Sequence, residues 1–184
     1  MQIEDQMGHT IHLPTPPRRI ISLVPSQSEL LFDLGLDDEI VGVTTFCVHP
    51  HDKCESKTVV GGTKQFYFER IDELQPDLII GNKEENYEKG IERLREKYPV
   101  WMSDVVTLAE AYAMIESVGA MVRRPEAAAD LVLRIREGLE NLPSWPRLRV
   151  AYLIWRKPYM AAGHRTFIHE MLHKANFVNV FGHL

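Results

Sequence analysis

A short apolar run that leads directly into a helical pattern is the feature that most constrains the fold of this 184-residue chain. The run Ile20-Ile21-Ser22-Leu23-Val24 is typical of a strand buried on both faces, and Pro25 ends it. Apolar residues then recur at helical spacing until Gly35, which predicts a helix that ends there. We expect Ser26 to cap this helix, because Glu29 three residues later completes a capping-box pattern.

Similar strand and helix patterns alternate along most of the chain. The later predicted strands lie at 40–44, 58–60, 77–81 and 100–102, and the later predicted helices at 68–74, 85–97, 108–121 and 124–142. Such alternation indicates a parallel sheet with right-handed crossovers. Polar residues at the carboxyl ends of the strands are therefore expected to line the functional crevice. Residues 2–5 and 10–13 are predicted to be short extended segments around a turn at Gly8.

The carboxyl-terminal part of the chain predicts the beginning of a second α/β unit. Residues 148–155 indicate one strand and residues 167–174 one helix, which are too few to bury a core of their own. The predicted fold class is thus α/β, with a parallel-sheet N-terminal lobe, a long backbone helix and an incomplete second α/β lobe. The corresponding domains are residues 1–122, the connecting helix 123–143, and the partial C-terminal lobe 144–184.

Charge and hydropathy exclude several functional classes. The formal net charge is −5 and no Lys/Arg-rich run occurs, so we expect no nucleic-acid binding. No apolar stretch approaches the roughly 18 residues that a membrane-spanning helix needs. Residues 1–5 have neither a basic nor an apolar signal region, so no signal peptide is expected in the chain as given. A cytoplasmic protein and a protein whose leader has been removed are both consistent with this start.

Two patterns contain residue types that bind metals. Cys47, His49, His51 and Cys54 fall within eight residues, but their spacing matches no established zinc pattern, and a polar loop with unpaired thiols is favoured. The segment His169-Glu170-Met171-Leu172-His173 fits the H-E-x-x-H pattern of zinc hydrolases. A solvated helix face is the preferred interpretation, because a third ligand and a long helical scaffold are missing from the pattern.

The polar residues expected at the crevice favour binding over catalysis. The segment Gly61-Gly62-Thr63-Lys64 lacks the spacing of a nucleotide phosphate loop, and no G-x-S-x-G hydrolase motif occurs. The crevice residues include serine, threonine, lysine and asparagine, without an obvious pair of nucleophile and base. We therefore expect a protein that is not an enzyme.

Several segments together resemble the substrate-binding proteins of iron–siderophore and cobalamin ABC importers, the helical-backbone metal-chelate receptors, and most closely the cobalamin-binding branch. In the first lobe these are Arg19–Ser26, Glu29-Leu30-Leu31, Leu34-Gly35-Leu36, Val60-Gly61-Gly62, Glu69-Arg70-Ile71 and Gln75-Pro76-Asp77-Leu78-Ile79-Ile80; in the second, Thr166-Phe167-Ile168 and Asn179-Val180-Phe181. The resemblance implies two α/β lobes joined by one rigid helix, with the ligand between them. It also implies a periplasmic or cell-surface protein without an intrinsic cofactor.

The resemblance implies a protein that binds cobalamin or a related metal chelate, such as a siderophore or heme, and delivers it to an ABC permease in the membrane. The residues expected to bind the ligand are Ser26, Phe46, His49, Thr63, Lys64, Asn82, Lys83, Trp155, Arg156 and Tyr159. Glu69 matches the first-lobe acidic residue that docks on the permease. Thr63 and Asn82 stand where cobalamin binders carry aromatic residues, which leaves a different metal chelate open. His49 is either an axial metal ligand or, as we favour, a loop histidine.

Two alternatives remain at this point. In the first alternative, the chain is a cytoplasmic paralogue or truncated domain that acts as an interaction module. The incomplete second lobe is then expected to drive association into a homo-oligomer. More remotely, it is a zinc hydrolase that uses His169 and His173.

Overall fold

The structure is a computed structural model that describes residues 1–143 and 146–184. These residues divide into two compact units, residues 1–104 with 117–128 and residues 105–116 with 129–184. The lobe boundaries expected at residues 122 and 143 stay predictions. Residue 144, the expected first residue of the C-terminal lobe, lies outside the described residues.

The strands and helices follow one another along both units. The strands are β1 (Gln2–Glu4), β2 (Thr10–His12), β3 (Ile20–Ser22), β4 (Ile40–Val43), β5 (Thr58–Val59), β6 (Gly61–Gly62), β7 (Gln65–Phe66), β8 (Leu78–Asn82), β9 (Val100–Ser103), β10 (Leu148–Val150), β11 (Leu153–Arg156), β12 (Tyr159–Ala161) and β13 (Phe177–Asn179). The helices are α1 (Pro25–Asp33), α2 (His51–Glu55), α3 (Phe68–Leu74), α4 (Glu88–Arg95), α5 (Leu108–Met121), α6 (Pro125–Glu140) and α7 (Phe167–Lys174).

A five-stranded parallel sheet forms the centre of the first unit, which confirms the predicted fold class. Its strand order is β5-β4-β3-β8-β9, and every pairing within it is parallel. Because β3 and β8 are central, the apolar side chains of both are fully buried. On one side of the sheet, Ile21 and Ile79 pack in a core cluster with Ile91 and Leu94 of α4. This arrangement explains why the sequence of these strands is a continuous apolar run rather than an alternating one.

The N-terminal hairpin of β1 and β2 is held in place by a buried carboxylate. The two strands pair antiparallel, and Asp5 lies in the turn between them with its side chain fully buried. Asp5 Oδ1 accepts hydrogen bonds from the backbone N–H groups of Met7 and His9, at 2.9 and 2.8 Å. Asp5 Oδ2 accepts from Arg95 at 2.8 Å and from the Met102 backbone N–H at 3.3 Å. The hairpin is thereby attached to α4 and β9.

The expected capping box at Ser26 is wrong. The N-cap of α1 is Val24, whose side chain cannot cap, and Pro25 is the first helical residue. Proline suits this position because its ring fixes φ near the helical value and its missing N–H has no helical partner to lose. The helix therefore begins two residues earlier than expected, and Ser26 lies inside its first turn.

The second unit contains two small sheets rather than the single strand expected at 148–155. In this unit β10 pairs in parallel with β13, while β11 and β12 form an antiparallel hairpin. The predicted strand is interrupted at residues 151 and 152. Its second half is β11, and a turn at residues 157 and 158 connects β11 to β12. The helix expected at 167–174 is confirmed as α7, and Thr166 caps it by accepting a hydrogen bond from the His169 N–H at 3.1 Å.

Helix α6 is continuous from Pro125 to Glu140, within the helix predicted at 124–142. Near the start of α6, Gly119 allows α5 to approach this helix closely. A Cβ atom at Gly119 would lie only 2.3 Å from the Ala128 Cβ. Of the helices in residues 1–143 and 146–184, none is both long enough and apolar enough to span a membrane.

Candidate functional site

A groove opens at the carboxyl end of the sheet in the first unit. Its volume is ≈ 400 Å³, and its lining residues follow the strands of the first unit: Val24, Pro25, Ser26, Phe46, Thr63 and Glu85. The structure thus brings together three of the predicted ligand-binding residues, namely Ser26, Phe46 and Thr63. Ligand sites of open α/β sheets lie at this edge, where loops leave the strands in different directions.

Phe46 is the most exposed large apolar residue of the groove. Phe46 lies in the loop after β4, and the residue is 58% exposed. Gly62 lies beneath it, since a Cβ atom there would stand 3.2 Å from Phe46 Cε2. An exposed ring over a glycine offers a free aromatic face that can stack on a planar or apolar ligand.

Asn86 connects three segments that form or support the groove, although sequence reasoning did not single it out. Its Nδ2 donates to the carbonyl groups of Leu23 and Thr63, at 3.2 and 3.0 Å. Its Oδ1 accepts from the Asn82 N–H at 2.9 Å, and Gly81 has no Cβ that would obstruct this oxygen. Because Asn86 is buried, these bonds fix the loops after β3, β6 and β8 relative to one another.

Asn82 uses its side chain to shape the loop after β8. Its Oδ1 accepts from the N–H groups of Glu84 and Glu85, at 2.9 and 3.1 Å, in an asparagine turn. Its Nδ2 donates to Ser103 Oγ at 3.2 Å. Both the oxygen and the nitrogen of the Asn82 side-chain amide thus form hydrogen bonds within the protein. The predicted contact of Asn82 with a ligand stays a prediction.

The two lysines predicted at the site lie in different surroundings. Lys64 Nζ donates to the carbonyl group of Glu84, which ties the turn after β6 to the loop after β8. Lys83 pairs with Asp104 and lines a separate groove of ≈ 500 Å³ together with Met7 and other residues. The structure therefore does not place Lys83 among the lining residues of the groove that contains Phe46.

His49 is exposed in the segment between β4 and α2. Its backbone carbonyl accepts a hydrogen bond from Cys54 Sγ at 3.2 Å. Burial raises the pKa of the Cys54 thiol above its ordinary value. Across residues 1–143 and 146–184, no group of three or more His, Cys, Asp or Glu residues is arranged to hold a metal ion.

The H-E-x-x-H pattern lies on α7 in the second unit. There, His169 Nδ1 hydrogen-bonds with Asn179 Nδ2 at 3.2 Å.

Trp155, Arg156 and Tyr159 lie on the β11–β12 hairpin of the second unit. Trp155 is 63% exposed and Tyr159 71%, and Trp155 Nε1 donates to the Lys157 carbonyl at 3.0 Å. Other exposed apolar side chains of this hairpin and the residue before it are Tyr152, Leu153, Ile154 and Met160. The β11–β12 hairpin therefore presents a largely apolar surface to solvent. A surface of this kind can bind a partner or a ligand.

Glu69, the predicted docking residue, is exposed in the first turn of α3. Two arginines that line the same groove as Glu69 each stack on an aromatic ring. The Arg70 guanidinium lies 5.0 Å from the centre of the Tyr67 ring, and the Arg93 guanidinium lies 3.9 Å from the centre of the Phe68 ring. These five residues line a groove of ≈ 470 Å³. The stacking restricts both arginines and so lowers the entropy that they would lose on contact with a partner.

Comparison with known families gives one match over most of the chain. The family profile described as "Periplasmic binding protein" matches residues 20–184. Among curated proteins, the vitamin B12-binding protein of Vibrio cholerae is 28% identical over 173 residues, covering 91% of this chain and 62% of the relative. An uncharacterized ABC transporter substrate-binding lipoprotein of Bacillus subtilis is 26% identical over 144 residues, covering 76% of this chain and 45% of the relative.

Solved structures share the same fold. The periplasmic vitamin B12-binding protein of Vibrio cholerae aligns with a TM-score of 0.79 at 28% identity, covering 91% of this chain and 68% of that one. A possible iron-binding, periplasmic solute-binding protein of Staphylococcus epidermidis aligns with a TM-score of 0.81 at 28% identity, covering 92% and 69%. The chain thus spans between 45% and 62% of the length of these two curated relatives and about two thirds of the two solved chains.

Proposed function

The chain belongs to the periplasmic binding protein family, and from this premise we propose that it is the substrate-binding component of an ABC importer. The proposed ligand is cobalamin or a related metal chelate, such as a siderophore or heme. The role is binding and delivery to a membrane permease rather than catalysis, at the periplasm or the cell surface. No intrinsic cofactor is proposed.

The groove around Phe46 is the observation that carries this proposal. It combines an exposed aromatic ring with Ser26 and Thr63 at the edge of the sheet where ligands of open α/β folds bind. The loops beneath it are held by the hydrogen bonds of buried Asn86, so little ordering entropy would oppose binding. An aromatic face with a few hydroxyl groups suits a bulky, partly apolar chelate that also offers polar atoms.

The proposal predicts that one metal chelate binds and that Phe46→Ala weakens its binding by about 10-fold, because the variant loses one stacking face. The measurement is isothermal titration calorimetry of the chain with cyanocobalamin, hemin and ferric siderophores. Val48→Ala is the matched control, since Val48 is an exposed apolar residue two positions away that does not line the groove. Absence of heat with all three ligand classes would contradict the proposed function, and equal affinities of the two variants would contradict the role of Phe46.

The apolar β11–β12 hairpin supports a second proposal, that copies of this chain associate through it. Trp155 and Tyr159 are its most exposed aromatic residues. We expect sedimentation velocity to detect a concentration-dependent dimer, and Trp155→Ser to shift it toward monomer. Leu133→Ser, at an exposed apolar residue of α6, is the control that should leave the association unchanged. A clean monomer at the highest attainable concentration would contradict this association.

A further inference from the structure

Glu85 is the one charged residue, within the part of the chain that the structure describes, that lines the groove around Phe46. The other lining residues are apolar or carry a hydroxyl group: Val24, Pro25, Ser26, Phe46 and Thr63. Glu85 is exposed, and its carboxylate has no hydrogen-bond or ion-pair partner among residues 1–143 and 146–184. The groove thus combines a free carboxylate with the exposed ring of Phe46.

The backbone on both sides of Glu85 is held by hydrogen bonds. The Glu85 N–H donates to Asn82 Oδ1 at 3.1 Å. The next residue is the buried Asn86, whose N–H donates to the Asn82 carbonyl at 3.0 Å and whose Nδ2 bonds to the carbonyl groups of Leu23 and Thr63. The carboxylate is therefore presented from a fixed backbone position, so a ligand would have to order only the Glu85 side chain.

A buried hydrogen-bond chain anchors Asn82 in turn. Asn82 Nδ2 donates to Ser103 Oγ at 3.2 Å, and the Nε2 of Gln27 in α1 donates to the same oxygen at 3.0 Å. Ser103 is fully buried, and its hydroxyl group donates to the Gly81 carbonyl at 3.3 Å. The turn that carries Glu85 is therefore connected through the interior of the first unit to β9 and α1.

The lysines beside this turn make their contacts elsewhere. Lys64 Nζ donates to the Glu84 carbonyl, and Lys83 pairs with Asp104. Neither lysine is among the lining residues of the groove around Phe46. A carboxylate on a ligand would therefore meet the charge of Glu85 without a cation in the lining to compensate it, whereas an N–H donor would gain a charge-assisted hydrogen bond.

We propose that Glu85 determines the specificity of the groove, by favouring metal chelates that present amide or ammonium N–H groups over chelates that present carboxylates. The inference rests on the proposed function and narrows its ligand class. The Phe46 ring packs on an apolar or cationic part of the ligand, and the Glu85 carboxylate accepts from its N–H groups. The carboxamides of cobalamin and the ammonium group of ferrioxamine B fit this pattern, and the carboxylates of hemin do not.

The test is isothermal titration calorimetry of the whole chain with matched chelates. Cyanocobalamin is compared with its monocarboxylic acids, in each of which one carboxamide has been hydrolysed. Ferrioxamine B is compared with its N-acetyl derivative, which lacks the ammonium charge, and hemin is titrated alongside. We expect the carboxamide or the ammonium form to bind about 5-fold more tightly than its matched derivative. The cobalamin series reports recognition of an amide, and the ferrioxamine pair reports recognition of an ammonium group.

Two variants test whether Glu85 is the origin of this preference. Glu85→Gln should remove it and Glu85→Lys should reverse it, because the charge is neutralised in the first variant and inverted in the second. Glu84→Gln is the matched control, since Glu84 is an exposed acidic residue of the same turn that does not line the groove. This control should change the preference by less than about twofold.

The outcomes separate the inference from the proposed function. Chelates that bind without this preference, binding of hemin alone, or a preference that both Glu85 variants retain would overturn the inference and leave the proposed function in place. Equal effects of Glu84→Gln and Glu85→Gln would also overturn it, because the charge of the whole turn would then be responsible. Absence of heat with every chelate would contradict the proposed function and the inference together.

Discussion

Replacing Gly61 by alanine is expected to lower the free energy of unfolding by about 4 kcal/mol, because the residue combines an unusual backbone angle with a backbone contact that leaves no room for a Cβ atom. Its φ is +118°, and the Cβ atom would lie 2.2 Å from the carbonyl oxygen of Gln65. The Gly61 carbonyl also accepts a hydrogen bond from the Thr45 N–H at 2.9 Å, so a shift here would disturb the loop before Phe46. Urea denaturation followed by circular dichroism measures the loss.

Two further glycine variants separate the causes of this loss. Gly8 has a φ of +80° with open space around its Cβ position, so Gly8→Ala should cost only about 1 kcal/mol, from the backbone angle alone. Gly138 lies in α6 with open space, and Gly138→Ala should raise the free energy of unfolding by about 0.5–1 kcal/mol. If Gly61→Ala and Gly8→Ala were equally stable, the close contact with Gln65 would not constrain the fold.

Asn86→Asp is expected to lower the free energy of unfolding by about 3 kcal/mol at neutral pH, although the two side chains have nearly the same shape. The substitution removes both hydrogen bonds from Nδ2 and turns a carboxylate oxygen toward the carbonyl groups of Leu23 and Thr63. A buried charge without a donor on that side adds a desolvation cost. Equilibrium denaturation measures the change in stability.

The same variant should weaken binding of the chelate at the groove, since the loops after β3 and β6 lose their common hydrogen-bond partner. Asn141→Asp is the matched control, because the Asn141 amide also donates to a carbonyl group, that of Glu137 at 2.8 Å, but on the exposed surface. Its cost should stay within about 0.5 kcal/mol. A similar small loss for Asn86→Asp would show that the loops hold their positions without the amide.

The parallel sheet could be predicted from the sequence because a strand that is buried on both faces requires a continuous apolar run. The helices at 68–74 and 108–121 also match, since their apolar spacing marks one buried face. The helix at 167–174 matches as well, although none of its residues is fully buried. Capping was mispredicted at Ser26 because the geometry of Pro25 decides where the helix begins. The segment 148–155 was mispredicted because its apolar residues are exposed, and apolar spacing alone does not tell a buried strand from a hairpin.

The candidate site was predictable only to the extent that strand ends determine it. Ser26, Phe46 and Thr63 could be assigned to one groove because each follows a predicted strand. The contribution of Asn86 was missed, since its hydrogen bonds reach residues up to 63 positions away in the sequence. Lys83 also follows a strand, but its pairing with Asp104 is a contact between neighbouring strands that no local pattern contains.

The buried carboxylate of Asp5 has a consequence for the order in which the molecule is assembled during synthesis. Its partners Arg95 and Met102 lie 90 and 97 positions further along the chain. At about 5–20 residues per second, the ribosome needs roughly 5–20 s to supply them after Asp5 has been made. The Asp5 hairpin can therefore make these contacts only after α4 and β9 have been synthesised, and until then its acidic side chain remains in water.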